Sequence, residues 1–389
     1  MEETKREAMG KTGNENRPAQ PAGAAALPLD CSFTEAVTGW YRVNKRDLPW
    51  RRDKDPYHVW VSEIMLQQTR VEAVRDYYLR FMKSLPTIEA LAGAEEEQLL
   101  KLWQGLGYYN RVRNLQKAAR QIVEKRSGGF PETLAEIREL PGIGEYTAGA
   151  IASICFDQRT PAVDGNVLRV MARITEEERN VKSAPVKRHF TELLSELYPE
   201  SGCGDFTQGL IELGALVCVP NGQPRCDACP VSGCCRARAA GRAMELPAKG
   251  KKKARRQEQR TVFILSCGGR AAVRRRPAGS LLGNLYEFPQ VPRLLTAAEA
   301  VSQAEAWGCR PVDVTRSRKY KHVFSHVEWD MTGYYITCAA EGCGEMSREH
   351  GEMNRQNVGD SRQAFLWVSR DQLEKEIPLP SAFQPFCQD

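Results

Sequence analysis

The sequence predicts a multidomain protein, an all-α domain followed by a smaller α+β domain, and three observations carry that prediction. Between about Cys31 and Arg236, apolar residues recur at helical spacing and strand-like alternation is almost absent. From residue 260 onward the character changes to short runs rich in Val, Ile, Phe and Tyr. The two regions are separated by the densest basic stretch of the chain, ten Lys or Arg against two acids from Arg236 to Arg260, although the net charge over 389 residues is only +6. The expected organisation is a disordered tail over 1–30, an all-α domain over 31–236, a basic linker over 237–259 and an α+β domain over 260–389.

The tail is rich in Ala, Pro, Gly and charge, and too polar for a secretory signal. No apolar run reaches the length of a bilayer span, so a soluble, cytoplasmic protein is expected. The helical region then reads as "SFTEAVTGWYRVN", "PYHVWVSEIMLQQTR", "TRVEAVRDYYLRFMKSLP", "AEEEQLLKLWQGL", "RVRNLQKAARQIVEK", "TLAEIREL", "EYTAGAIASICF", "NVLRVMARI" and "DFTQGLIELGALVC". Beyond the linker, strands are expected at "RTVFILSC", "AAVRRRP", "LYEFPQV", "HVFSHVEWDMTGYYITC" and "AFLWVS", with helices at "AAEAVSQAEAW" and "RDQLEKE". Residues 341–363 lack apolar content and read as a mobile loop between strands. The linker's charge suits contact with phosphates, and equally a solvated hinge.

The second helical run places Glu63 among Val59, Trp60, Ile64, Met65 and Leu66, which fall all round the helical wheel. Asp55 can cap this helix and Pro56 suits its first turn. Burial would raise the Glu63 pKa and suit a proton donor; the alternative is a structural carboxylate paired with Arg70 or Arg113. In "LPGIGEYTAGAIASI", Gly142 and Gly144 permit a tight turn between two helices whose second N-terminus can accept a DNA phosphate, though any interhelical turn could look the same. Asp164 of "PAVDGNVLRVMARI" stands at another helix N-terminus, either as an ordinary N-cap or as a carboxylate that stays ionised while Glu63 keeps its proton. Two carboxyls with opposed pKa shifts suit cleavage of a glycosidic bond.

Thirteen cysteines include a cluster in "CVPNGQPRCDACPVSGCC", with Cys218, Cys226, Cys229 and Cys235 as candidate ligands and Cys234 beside the last. Four thiolates on one Pro/Gly-rich segment suit a tetrahedral zinc or an iron–sulfur cluster, and spacing alone leaves both open.

The order of "LPWR", "PYHVWVSEIMLQQT", "LWQGLGYYNR", "LPGIGEYTAGAI", "VDGNVLRV", "LGALVC" and the cysteine cluster resembles the MutY family of A/G-specific adenine DNA glycosylases, within the helix-hairpin-helix superfamily. The resemblance covers roughly Cys31 to Arg236. It implies excision of adenine mispaired with 8-oxoguanine or guanine in double-stranded DNA, and a [4Fe–4S] cluster in place of zinc. It implies that Glu63 protonates adenine N7 and that Asp164 stabilises, or transiently bonds to, the anomeric carbon, with Tyr146 and Asn166 in support. Gln68 would be the wedge that enters the base stack, and Tyr108 would intercalate beside the oxidised guanine. Strand-cutting relatives carry a lysine nucleophile where this chain has Tyr146, so a monofunctional enzyme is implied.

Residues 260–389 resemble the Nudix-like domain of the same family, through "LLGNLYEFP" and the "FSH" of residues 324–326. The Nudix hydrolase signature, Gly, five residues, Glu, seven residues and Arg-Glu, is absent there. A reader of 8-oxoguanine is therefore implied, not a pyrophosphatase, with Phe324, Ser325 and His326 at the base. A monomer on DNA of the nucleoid is the simplest assembly. Two departures stand out: seven residues separate the first two cysteines where the family has six, and Cys234 competes with Cys235 as fourth ligand, Cys235 being favoured because its five intervening residues match the family. Rival functions are a glycosylase with lyase activity, which Tyr146 opposes; a non-catalytic DNA-binding protein, which the pair Glu63 and Asp164 opposes; and a nucleotide-pool hydrolase, which the missing signature opposes.

Overall fold

A computed structural model describes residues 29–248, 254–277, 279–340 and 365–387. The expected loop over 341–363 and most of the expected tail lie outside the described residues. Leu29 and Asp30 are already part of the fold, since the Asp30 carboxylate caps the first helix by accepting from Ser32 N.

Twelve helices make up the first domain as described: α1 (Cys31–Asn44), α2 (Pro56–Leu66), α3 (Val71–Ser84), α4 (Ile88–Gly93), α5 (Glu96–Leu102), α6 (Asn110–Arg126), α7 (Leu134–Arg138), α8 (Glu145–Phe156), α9 (Gly165–Thr175), α10 (Ala184–Leu197), α11 (Cys203–Leu216) and α12 (Arg236–Ala239). They form two cores. Trp60, Met65, Phe81, Trp103 and Ile151 belong to the core around α2, α3, α6 and α8. Val37, Met171, Phe190, Phe206 and Leu210 belong to the core around α1, α9, α10 and α11. As its composition predicts, α2 has almost no polar face: every residue from Val59 to Met65 is buried, capped by Asp55 through Tyr57 N.

The seam between the cores is fastened by Glu212 of α11. Its carboxylate is fully buried and accepts from Arg46 Nε at 2.8 Å and Arg51 Nη2 at 2.9 Å. Against burial, which pushes it up, these guanidiniums hold Glu212 down at about 2.

The expected linker is in large part folded onto the first domain. Ala237 and Leu246 are buried, Arg173 Nε donates to the Leu246 carbonyl, and Arg242 pairs with Glu176 and Glu178. Charges that read as solvated in the sequence are therefore partly spent on ion pairs, and β1 already begins at Arg256.

The second domain is a mixed seven-stranded sheet of β1 (Arg256–Cys267), β2 (Arg270–Arg275), β3 (Tyr286–Glu287), β4 (Gln290–Val291), β5 (Pro311–Val323), β6 (Val327–Cys338) and β7 (Leu366–Ser369), with α13 (Ala297–Ala306) and α14 (Arg370–Lys375). The main path runs β3-β2-β1-β6-β5, with β4 on β1 and β7 on β2; β1 and β6 are parallel. The run "HVFSHVEWDMTGYYITC" is not one strand: residues 324–326 turn the chain between β5 and β6. Most of β5 escaped prediction because it is an edge strand with no fully buried residue, and its charges, Arg316 to Lys321, mask the alternation.

Glu96 at the start of α5 docks the sheet onto the helices. It accepts from Arg113 at 3.0 Å within its own domain, and from Asn284 at 3.1 Å and Arg275 at 3.3 Å across the boundary. Arg113 reaches across to the Gly283 carbonyl at 2.7 Å, and Lys101 to that of Ile377 at 3.1 Å.

Candidate active site and nucleic-acid interface

Helix α2 faces two cavities. The first is a cleft of about 1010 Å³ lined by Glu63, Gln68, Gly144, Tyr146, Asp164 and Asn166, together with residues of both helical cores. The second, of about 650 Å³, lies between the domains and is lined by Tyr108, Gly142, Phe324, Ser325 and His326. All eleven residues singled out for catalysis or DNA contact thus fall on one of two chambers. Gln67, which sequence reading passed over, lines both.

Glu63 has no ion-pair partner among the described residues, and Arg113 serves Glu96 instead. Its Oε2 accepts from the Tyr146 hydroxyl at 2.8 Å. Burial pushes Glu63 from the ordinary 4.5 up to about 7; the Tyr146 hydrogen bond works against this and the nearby Asp164 carboxylate adds to it.

Asp164 is the N-cap of α9, and its Oδ1 accepts from Asn166 N and Val167 N, both at 2.8 Å. Asn166 Nδ2 donates to the other carboxylate oxygen at 2.7 Å. The expectation of opposed pKa shifts is not met. Burial raises Asp164 as well, and its three hydrogen bonds and the Arg169 charge offset this only in part. The two carboxyls therefore differ in surroundings, one beside a phenol and one wrapped in donors at a helix N-terminus, while both shift upward.

Arg169 was not legible in the sequence. Buried in α9, it donates to Asn166 Oδ1 at 2.8 Å and to the Cys218 carbonyl at 2.7 Å, which ties the Asp164 cap to the cysteine segment.

The helical hairpin of α7 and α8 uses its two glycines differently. Gly142 has φ +82°, and a Cβ there would lie 2.6 Å from Asn114 Cβ, so the fold itself requires glycine. Gly144 has φ −95°, caps α8 without a side-chain hydrogen bond, and a Cβ there would meet nothing within 4 Å. The protein does not need glycine at 144, but a phosphate approaching the free N–H groups of α8 would. Gly144→Ala is accordingly expected to leave the melting temperature unchanged or slightly raised while weakening duplex binding about tenfold, an effect readable by fluorescence anisotropy.

Gln68 and Tyr108 adopt left-handed backbone conformations, with φ of 59° and 48°. Strain of this kind in residues with side chains gathers at functional positions. Arg111 holds both segments. Its buried guanidinium donates to the carbonyls of Ile64, Met65 and Gln67 at the end of α2 and to those of Leu106 and Gly107 before Tyr108, at 2.7 to 3.1 Å.

Cys218, Cys226, Cys229 and Cys235 line one small cavity with Val170, Ile174 and Leu213. Cys234 does not; it is buried in the core of α9–α11, with Sγ against the Val231 carbonyl at 3.2 Å. Among the described residues no three His, Cys, Asp or Glu side chains are grouped so that they could hold a metal ion. Burial, with the charges of the other three thiols added, pushes Cys229 up to about 12, so a bound cation would have to displace its proton.

Residues 61–196 match the family described as HhH-GPD superfamily base excision DNA repair protein, and residues 261–389 match the NUDIX domain family. A curated adenine DNA glycosylase of Rattus norvegicus is 37% identical over 369 residues, covering 80% of this chain and 71% of that protein. One of Mus musculus is 37% identical over 355 residues, covering 76% of this chain and 69% of that protein. Among solved structures, a thermostable thymine-DNA glycosylase superposes with a TM-score of 0.48 at 29% identity, over 52% of this chain and 94% of that one.

Proposed function

Because the chain belongs to the adenine DNA glycosylase family of base excision repair proteins, we propose that it removes adenine mispaired with 8-oxoguanine or guanine in duplex DNA, through Glu63 and Asp164, without cutting the strand. Hydrolysis of the N-glycosidic bond of adenine is the family's activity, and duplex DNA is its substrate. The observation that carries the finer reading is the meeting of Glu63 and Asp164, from helices of different cores, in one cleft spacious enough for a flipped base.

Glu63, protonated near neutrality, donates to N7 of the extruded adenine and turns it into a neutral leaving group. The Tyr146 hydroxyl orients the carboxyl. Asp164, held by two backbone N–H groups and Asn166, faces the sugar as the glycosidic bond breaks and stabilises the oxocarbenium-like centre until water adds to it. Tyr146 occupies the position of the lysine in strand-cutting relatives, and the lysines lining the same cleft, Lys45, Lys54 and Lys187, are solvent-exposed. An abasic site is the product.

The vacated stack is filled by Gln68 and Tyr108. The opposite base enters the interdomain chamber, where the Ser325 hydroxyl and His326 offer hydrogen bonds to a purine edge. Cys218, Cys226, Cys229 and Cys235 would hold a [4Fe–4S] cluster, which would fasten the segment that Arg169 links to Asp164. One chain contains both chambers, which supports action as a monomer. No helix among the described residues is long and apolar enough to cross a membrane, and an enzyme bound to nucleoid DNA in the cytoplasm is the assignment we favour.

Single-turnover assays with and without hot alkali test this directly. Duplexes with adenine opposite 8-oxoguanine are expected to break only after alkali, and duplexes with thymine in place of adenine not at all. Breaks without alkali would refute the monofunctional assignment, and intact strands throughout would return Glu63 to a structural role.

A further inference from the structure

Behind the turn of residues 324–326 lies a charged aromatic stack of a kind that core packing does not call for. We propose that Arg260 and Trp329 are positioning residues for this turn, fixing how it presents Ser325 to the base opposite the adenine. This rests on the assignment of the turn made above.

Trp329 of β6 is fully buried, and its ring meets that of Phe324 edge to face with centroids 4.8 Å apart. The Arg260 guanidinium carbon lies 4.0 Å from the centroid of the Trp329 ring. Both partners are fixed by one carboxylate: Glu258 Oε2 accepts from Trp329 Nε1 at 3.0 Å and from Arg260 Nη2 at 2.5 Å. The parallel register places Glu258 directly beside Trp329, so β1 sets the ring's orientation. The same strand end holds the turn's main chain, with Arg256 N donating to the His326 carbonyl and Arg255 Nε to that of Phe324, both at 3.1 Å.

Arg260 Nε is buried without a partner among the described residues. Its other nitrogens serve Glu258 and the buried Gln290 amide oxygen, the latter at 3.1 Å, so an apolar residue here would leave both acceptors short of a donor. What an apolar residue could not supply is the nearer of the two cations over the Trp329 ring, Arg260 at 4.0 Å against Arg276 at 5.7 Å, and with it the support that ring gives Phe324.

Single-turnover rates of adenine release opposite 8-oxoguanine and opposite guanine, measured on the full chain, test the inference. Wild type is expected to prefer the 8-oxoguanine duplex. Arg260→Met is expected to cut that preference about tenfold by slowing the 8-oxoguanine duplex alone, and Arg260→Lys, which keeps a cation near the ring, to restore most of it. If Arg260→Met does not fold, Arg260→Gln, which removes the cation but can still donate to Glu258 or Gln290, carries the test with an expected loss of preference of about threefold. Equal slowing on both duplexes, or an unchanged preference in a folded variant, would overturn the inference. A wild type without preference would overturn the assignment of the turn itself, and the inference with it.

Discussion

Glu63→Gln is expected to slow adenine release by about a thousandfold while duplex binding stays within a few-fold of wild type. Gln fills the same space and can still accept from Tyr146, but it has no acidic proton to give. The wild-type single-turnover rate should fall about tenfold per unit above pH 7, because the acid raised to about 7 by burial must be protonated to act, and should fall again at acid pH as the Asp164 carboxylate, itself shifted upward, takes up a proton. The same shift has a stability signature of the opposite sign to that of a salt-bridged acid. Glu63 binds its proton more tightly folded than unfolded, so stability declines as pH rises from 4.5 to 7. Glu63→Gln removes that dependence and should melt higher than wild type at pH 8, by an amount on the order of 3 kcal/mol at most, with the gap closing below pH 4.5. A variant that keeps wild-type activity would remove Glu63 from the chemistry.

Arg111→Lys should be the second large effect, although Arg111 touches neither cleft carboxyl. Lys keeps the charge, yet its single ammonium cannot serve carbonyls on both sides as the guanidinium fork does. With the end of α2 and the loop before Tyr108 no longer joined, Gln68 and Tyr108 lose their common support. A loss of about 100-fold in single-turnover rate is expected, the scale of a displacement of about 1 Å at a reacting centre. Circular dichroism at the assay temperature separates this from unfolding, and a folded Lys variant with wild-type rate would exclude the role.

What could be read in the sequence, and what could not, follows from where each residue finds its partners. Glu63 was legible because three of its four neighbours three and four positions away, Val59, Trp60 and Leu66, are apolar, so its burial is a local fact of one helix. Asp164 was legible as a cap because its donors are two and three residues on. The four cysteines announce themselves by spacing, and packing agrees with the family spacing in preferring Cys235 to Cys234. Arg111, Arg169, Glu212 and Arg260 were invisible for one shared reason: each binds groups distant in sequence, such as carbonyls 44 to 49 residues away or guanidiniums more than 160 away. An arginine in "NRVRNLQ" reads as solvated until the end of another helix is brought to it. The upward shift of Asp164 escaped because its burial, unlike its cap, is not set by its sequence neighbours.

Helix α2 works as the party wall of a two-room house. Trp60 and Ile64 belong to one room, Ser62 and Glu63 to the other, and Gln67 to both. The wall is a single helix thick, about 10 Å. The two bases of one mispair, drawn apart to either side of it, would be inspected and processed by faces of the same rigid rod. Any shift of that rod caused by a poor fit in one room displaces the acid in the other, so recognition and chemistry would be linked without a moving lid.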